Sequence, residues 1–367
     1  MKIGILTFHD ADNYGAVLQA YALKESIQRI NNNWNVQVVD YKMSYIIKNY
    51  KLIKINTKNP TILIKSLILT LLTLKTNITK KIKFNRFRND YMNLSDSVYH
   101  KPEDIKEFDS FIIGSDQVWN FDITKGDSIF FLDFCNEKTK KISYAASIGN
   151  DKLSLKEINH IKKNINNIDN ISVREHSAVN ILNKITDKHV HRVLDPTLLA
   201  DITIWNNVIK QNAKTRNEKY ILVYMVSTNE EVLKTAELVS KKKGLKVLLI
   251  HDSFKNNKYG FQHLKGIGPV EFVQLIKNAE YIVTNSFHGT TFSIIFNKNF
   301  ITIPHKVTGS RMNNLLELLN LEKRLINKRE DANEIIKFNI DYTLPNMLLK
   351  QEKEKSLKFL VESLNKE

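Results

Sequence analysis

The sequence predicts an α/β protein: two doubly wound domains facing a cleft. Three observations carry that expectation. The chain has 367 residues, too many for one ordinary core. Apolar strand-like runs alternate with helical repeats through both halves, the order that gives parallel sheets. Polar clusters recur just after the strand-like runs, the end of such sheets where ligands bind.

The elements follow in order. Residues 2–8, KIGILTF, are a continuous apolar strand, and the polar loop HDADNYG follows. Ala16, Ala20, Leu23, Ile27 and Ile30 recur at helical spacing, so 16–30 is an amphipathic helix, and WNVQVVDY is the next strand. Residues 50–90 break the alternation. From Asn59-Pro60 an apolar segment runs into a dense basic one, PTILIKSLILTLLTLKTNITKKIKFNRFR. This reads as an inserted helical pair packed on the first domain; the alternative is a peripheral membrane contact, with lysines reaching toward headgroups. SFII is a short buried strand with GSDQ just past its end, and KISYAASIG is another strand. A charged helix spans about 151–168, and NISVRE is the strand after it. HRVLDPTLLAD, with Asp195-Pro196, is the expected exit from the first domain.

The second half repeats the scheme. KYILVYMV is a strand, 229–243 a helix, KVLLIHD a strand, and PVEFVQLIKNA a helix with proline in its first turn. YIVTNS, a helix after His288, the strand FITIPH and a helix over 311–320 complete it. Leu357, Leu360, Val361 and Leu364 form a C-terminal helical stripe. The expected division is 1–198, 199–340 and a terminal helix over 341–367.

The net charge is +16, mostly from lysine, which points to anionic ligands or an anionic membrane surface. Nucleic acid is not expected: there is no zinc spacing, helix-turn-helix signal or RNP-like aromatic run. A single cysteine, Cys135, makes no internal disulfide and fits a cytoplasmic setting. The first residues lack the pattern of a signal peptide, and no apolar run reaches the ~18 residues that span a bilayer.

TNSFHGTTF, residues 284–292, sets a histidine between a buried strand and a helix start. Backbone N–H groups at such a start bind phosphate or carboxylate, with Ser286, Gly289 and Thr290 around them. His288 beside them is a candidate general acid or base; a loop hydrogen bond is the plain alternative. Arg174 ends the strand ISVR and can grip an anion with two hydrogen bonds, or simply pair with Glu175. Lys306 and Arg311 flank VTGS and are candidate phosphate ligands. Asp116 can orient a sugar hydroxyl or cap a turn. Asn13, Tyr14 and Gln19 open the first helix, where Asn13 can cap and Gln19 can face the cleft. No dinucleotide, Walker, HExxH or GxSxG motif occurs, and no carboxylate cluster points to a metal.

NYGAVLQAYAL, IIGSDQVWN, SYAASIG, SVRE, VLDPTLL, GPVEFVQLIKNAEYIVTNSFHGTTFSIIF and SRMNNLLELL stand in this order over residues 13 to about 320. Together they resemble the polysaccharide pyruvyl transferase family. The resemblance implies a GT-B-like pair of Rossmann-like domains and no cofactor. It implies transfer of the pyruvyl group of phosphoenolpyruvate onto a sugar as a ketal, with release of phosphate. The acceptor would be a glycan, often lipid-linked. The family's histidine falls on His288, its mid-chain arginine on Arg174 and its basic group past the last strand on Lys306. Ser286, Gly289, Thr290 and Arg311 would bind the donor; Asn13, Tyr14, Gln19 and Asp116 the acceptor. Relatives carry an arginine in an S-R-x-H-G turn, where this chain reads Asn285-Ser286-Phe287-His288-Gly289. The donor's grip must then come from elsewhere, with Arg311 the candidate. The runner-up activity is a nucleotide-sugar glycosyltransferase on the same scaffold, with Glu271 toward a ribose. The third reading is a non-catalytic member of a membrane assembly.

Overall fold

A computed structural model describes residues 1–50, 60–150, 152–210, 218–251, 258–304 and 309–365. Two all-parallel sheets organise it. The first contains β1 (Lys2–Leu6), β2 (Asn35–Tyr41), β3 (Leu94–Tyr99), β4 (Ser110–Asp116), β5 (Lys140–Ala146), β6 (Asn170–Val173) and β7 (Val190–Arg192). Their order across the sheet is β3-β2-β1-β4-β5-β6-β7. The second contains β8 (Tyr220–Tyr224), β9 (Lys246–Ile250), β10 (Gln262–His263), β11 (Tyr281–Thr284) and β12 (Asn299–Thr302), in the order β10-β9-β8-β11-β12. Central strands such as β8 and β11 are buried along their whole length, because helices cover both faces of a parallel sheet.

One apolar cluster runs through both halves. Tyr14, the first residue of the helix Tyr14–Ile30, stacks on Phe272 at 4.4 Å between ring centroids. Its hydroxyl donates to the Ile267 carbonyl at 2.9 Å. Tyr21 and Phe292 both meet Trp205 edge-on, so aromatic rings from each half close the seam. The terminal helix Thr343–Asn365 packs back on the first sheet. Ser356 Oγ accepts from Leu194 N at 3.0 Å, and Glu352 pairs with Arg192 at 3.2 Å.

The inserted segment differs from the expected helical pair. Among the described residues it holds one continuous 32-residue helix, Pro60–Tyr91, and the short helix Ser44–Asn49 precedes it. Neither Gly nor Pro interrupts the sequence after Pro60, so its Thr/Asn-rich middle does not break the helix. Phe84 and Phe87 are fully buried on its inner face, where Tyr14 meets Phe84 and Tyr21 meets Phe87. Lys83 reaches Glu271 of the second half at 2.5 Å. Residues 51–59 of the insertion lie outside the described residues.

Candidate active site

Strand order reverses between β1 and β4 in the first sheet and between β8 and β11 in the second. A crevice opens beyond the C-terminal ends of strands at such a reversal. A cleft of about 300 Å³ is lined from all four of those ends. Asn13 lies in the loop after β1, Asp116 ends β4, Val226 and Ser227 follow β8, and Asn285, Ser286 and His288 follow β11.

Local hydrogen bonds fix the turn that carries His288. Thr284 Oγ1 accepts from Ser286 N at 3.0 Å and donates to the Tyr224 carbonyl at 2.7 Å. Asn285 laces this turn to the one after β8: Oδ1 accepts from Val226 N at 3.0 Å, and Nδ2 donates to the Ser227 carbonyl at 2.8 Å. Ser286 caps the helix Phe287–Ile295, its Oγ accepting from Gly289 N at 3.3 Å. His288 is therefore the second residue of that helix.

The His288 ring lies across Gly15 at the start of the first domain's first helix. A Cβ on Gly15 would fall 2.1 Å from Nδ1 and 2.4 Å from Cε1. The other ring nitrogen, Nε2, is buried 3.7 Å from Asp195 Oδ2 and has no hydrogen-bond partner. Asp195 is fully buried. Oδ2 accepts from Arg174 Nη1 at 2.6 Å, and Oδ1 accepts from Thr197 N at 2.9 Å and from its hydroxyl at 2.7 Å. Burial alone would raise its pKa. His288, the Arg174 charge and the Thr197 hydroxyl outweigh that and hold the carboxyl below the usual carboxylate range.

Arg174 is locked in place. Its Nε pairs with Glu175 Oε1 at 3.2 Å, and its guanidinium sits 4.7 Å from the Phe287 ring centroid. Burial works against its charge, but Glu175 and then Asp195 overcome this and raise its pKa. Arg174 lines a small cavity of about 30 Å³ that shares Phe287 and Arg311 with the main cleft. Phe287 thus touches Arg174 and lines both cavities, while Arg174 lines only the small one. Arg174 Nη2 and Glu175 Oε2 are buried without partners.

Arg311, on the helix Gly309–Leu318, is different. It lines both cavities, its Nε is buried without a partner, and no carboxylate forms an ion pair with it among the described residues. Burial, then repulsion by Arg174, lowers its pKa. Arg311 is half-buried between the two cavities, with its Nε shielded from water and unpartnered among the described residues.

The structure brings together Asn13, Asp116, Ser286, His288 and Arg311 on one cleft. Asn13 also caps the first helix, accepting from Ala16 N at 3.2 Å, and Asp116 Oδ1 accepts from Gln117 N at 2.9 Å. Five sequence expectations need correction. Gln19 does not face the cleft: it is fully buried and donates to Thr7 Oγ1 and the Ala16 carbonyl, both at 2.9 Å. Tyr14 serves the seam between the two halves. Gly289 does not open the backbone to a ligand, because its missing Cβ makes room for Thr284 Oγ1, 2.3 Å from where a Cβ would lie. Thr290 is buried, donating to the Ser286 carbonyl at 3.1 Å and bonding Thr302 Oγ1 at 2.8 Å. Arg174 is held by two carboxylates and lines the adjoining small cavity rather than the main cleft. Lys306 lies outside the described residues. Glu271 closes the turn at Gly268, accepting from its N–H at 2.6 Å.

Asp195 and Gly15 carry no site signal in the sequence. Asp195 read as a domain exit, since Asp-Pro is a common boundary, and only the fold reveals it against His288. The described grouping of His9, Asp10 and Asp40 has ligand atoms close enough for a metal. Lys42 already neutralises it, at 2.7 Å from Asp40 and 3.1 Å from Asp10.

Two parallel-sheet domains with a cleft lined from the switch points of both define a GT-B-like enzyme architecture. The fold is shared with UDP-GlcNAc 2-epimerase from Methanocaldococcus jannaschii, at TM-score 0.53 and 14% identity over 94% of each chain. A UDP co-structure of MnaA from S. aureus matches at TM-score 0.53 and 12% identity, covering 99% of this chain and 97% of that one. No curated protein matches the chain. The family model for polysaccharide pyruvyl transferase matches residues 13–306, and the chain belongs to that family.

Proposed function

We propose that the protein transfers the pyruvyl group of phosphoenolpyruvate to two hydroxyls of a sugar in a surface-polysaccharide precursor. The observation that carries this reading is the presence on one cleft of His288 and Arg311, a half-buried arginine with no carboxylate partner among the described residues. Arg311 meets the donor's phosphate or carboxylate, taking over the role that the arginine of the S-R-x-H-G turn holds in relatives.

The reaction requires a proton on the terminal enol carbon, which becomes a methyl group and leaves an oxocarbenium-like centre at the adjacent carbon. One sugar hydroxyl attacks that centre and loses its proton. The C–O bond to phosphate then breaks, and a second hydroxyl adds and loses its proton. Two protons leave the sugar: one balances the new methyl group and the other leaves with inorganic phosphate. His288 exchanges these protons through Nδ1, with Asp195 behind Nε2 to orient the ring. Arg311 stabilises the departing phosphate. Asp116 and Asn13, across the cleft, orient the acceptor hydroxyls. No cofactor is required by this scheme. The acceptor is a glycan, carried on a lipid in the form this family reading favours.

Thermal unfolding with phosphoenolpyruvate, beside a panel of nucleotide sugars, tests the donor. At ~100 times its Kd a ligand stabilises the native state by about 2.7 kcal/mol, a shift of a few degrees. A shift with phosphoenolpyruvate that Arg311→Met abolishes supports the proposal. A shift only with a nucleotide sugar moves the activity to glycosyl transfer.

A further inference from the structure

The sequence contains no Asp or Glu between Asp40 and Asp90, while twelve Lys and Arg fall in that interval. The other long stretch without Asp or Glu, residues 281–316, carries only three Lys and Arg, so the density of cations in 41–89 is particular to that segment. In the described part of the helix Pro60–Tyr91 the exposed side chains are Leu71, Lys75, Ile78, Ile82, Asn85, Arg86, Asn89 and Asp90, the last at the edge of the face and paired with Arg86 at 3.2 Å. Their spacing follows one helix face. Leu71 is 71% exposed, Ile82 61% and Ile78 38%. Phe84 and Phe87 occupy the opposite face, so the helix is apolar on two sides and only one of them is covered.

We propose that this outer face docks on an anionic lipid surface, with Leu71, Ile78 and Ile82 entering the headgroup boundary and Lys75 and Arg86 meeting the headgroups. The charge complementarity selects this occupant. A second copy of the chain would bring the same cations face to face, which like charges disfavour. A helix that lies on a membrane needs an apolar stripe flanked by Lys and Arg. No helix among the described residues is long and apolar enough to cross one. The inner face fixes the helix to the catalytic body: Lys80 Nζ lies 5.4 Å from the ring of Tyr14, next to Asn13 on the cleft. Docking would therefore hold the cleft near the bilayer, where a lipid-carried acceptor resides.

The test is co-sedimentation of the full chain with vesicles of phosphatidylglycerol in phosphatidylcholine, and with phosphatidylcholine alone. The expected result is binding to the anionic vesicles only. Ile78→Asp/Ile82→Asp and Lys75→Glu/Arg86→Glu should each lower partitioning by roughly tenfold or more, with an unchanged thermal midpoint. Absence of binding overturns the proposal. So does binding that survives Ile78→Asp/Ile82→Asp and is lost only with the charge reversals, which would be adsorption by net charge. A concentration-dependent dimer abolished by the same apolar substitutions would assign the face to self-association instead.

Discussion

His288 Nδ1 and Gly15 are in contact across the two domains: a Cβ on Gly15 would lie 2.1 Å from that nitrogen. Glycine inside a helix costs about 0.5–1 kcal/mol relative to alanine, so its presence within the first turn of the helix Tyr14–Ile30 requires a reason. The backbone of Gly15 is not left-handed, so alanine fits the main chain. Only the imidazole stands in the way.

Gly15→Ala should therefore separate stability from turnover. His288 must rotate away or be pushed off, and turnover should fall roughly 10²-fold or more. The thermal midpoint should change little or fall slightly, because displacing the His288 ring offsets the gain in helix propensity. A variant that keeps full activity would show that the His288 position is not critical to the chemistry.

Arg311 makes the opposite kind of statement. A shielded N–H without a partner among the described residues, as at Arg311 Nε, is costly to hold, so Arg311→Met should raise the stability of the ligand-free protein by about 1 kcal/mol. The same substitution should remove stabilisation by inorganic phosphate. Paired denaturation curves with and without phosphate measure both. A ligand-free destabilisation would mean that Arg311 is satisfied within the fold.

The sequence made the two sheets legible because central parallel strands are continuous apolar runs, such as YILVY and the run after Lys2. It did not reveal β3, β7 and β10, whose residues LSDSVY, VHR and QH lie at sheet edges and carry polar side chains. The site was partly readable. His288, Asn13, Asp116 and Arg311 sit after strands, and the rule for parallel sheets gathers them. What stayed hidden were the long-range partners. Glu175 was visible beside Arg174 in sequence, but Asp195 is 21 residues further on and meets Arg174 only through the pairing of β6 with β7. Gln19 illustrates the reverse error: helical position alone does not say which face is buried.

Asp195→Asn keeps the shape of the side chain and removes the charge between Arg174 and His288. Turnover should fall roughly 10²-fold or more through loss of ring orientation, while Arg174, left with Glu175 alone, costs about 3 kcal/mol of stability. Kinetics beside urea denaturation checks both. Because the effect acts through His288, the Asp195→Asn/His288→Ala double variant should lose little more activity than His288→Ala alone. Additive losses would place Asp195 in a separate role.

Acid stability follows from Asp40, away from the cleft. Burial raises its pKa, but hydrogen bonds from His9 at 2.9 Å and Lys42, with their charges, lower it from 3.8 to about 2. A carboxylate whose folded pKa is depressed contributes stability that is fully present above its unfolded value. That stability is lost as pH falls through the folded value. A shift of this size corresponds to about 2 kcal/mol at neutral pH. The window runs from about pH 4 down to about pH 2. Asp40→Asn should be less stable than the parent by about that amount at pH 7, and the two should converge toward pH 2. Denaturation midpoints across this range give the measurement. A constant difference at all pH values would mean that Asp40 stabilises by shape and hydrogen bonding, and not by its charge.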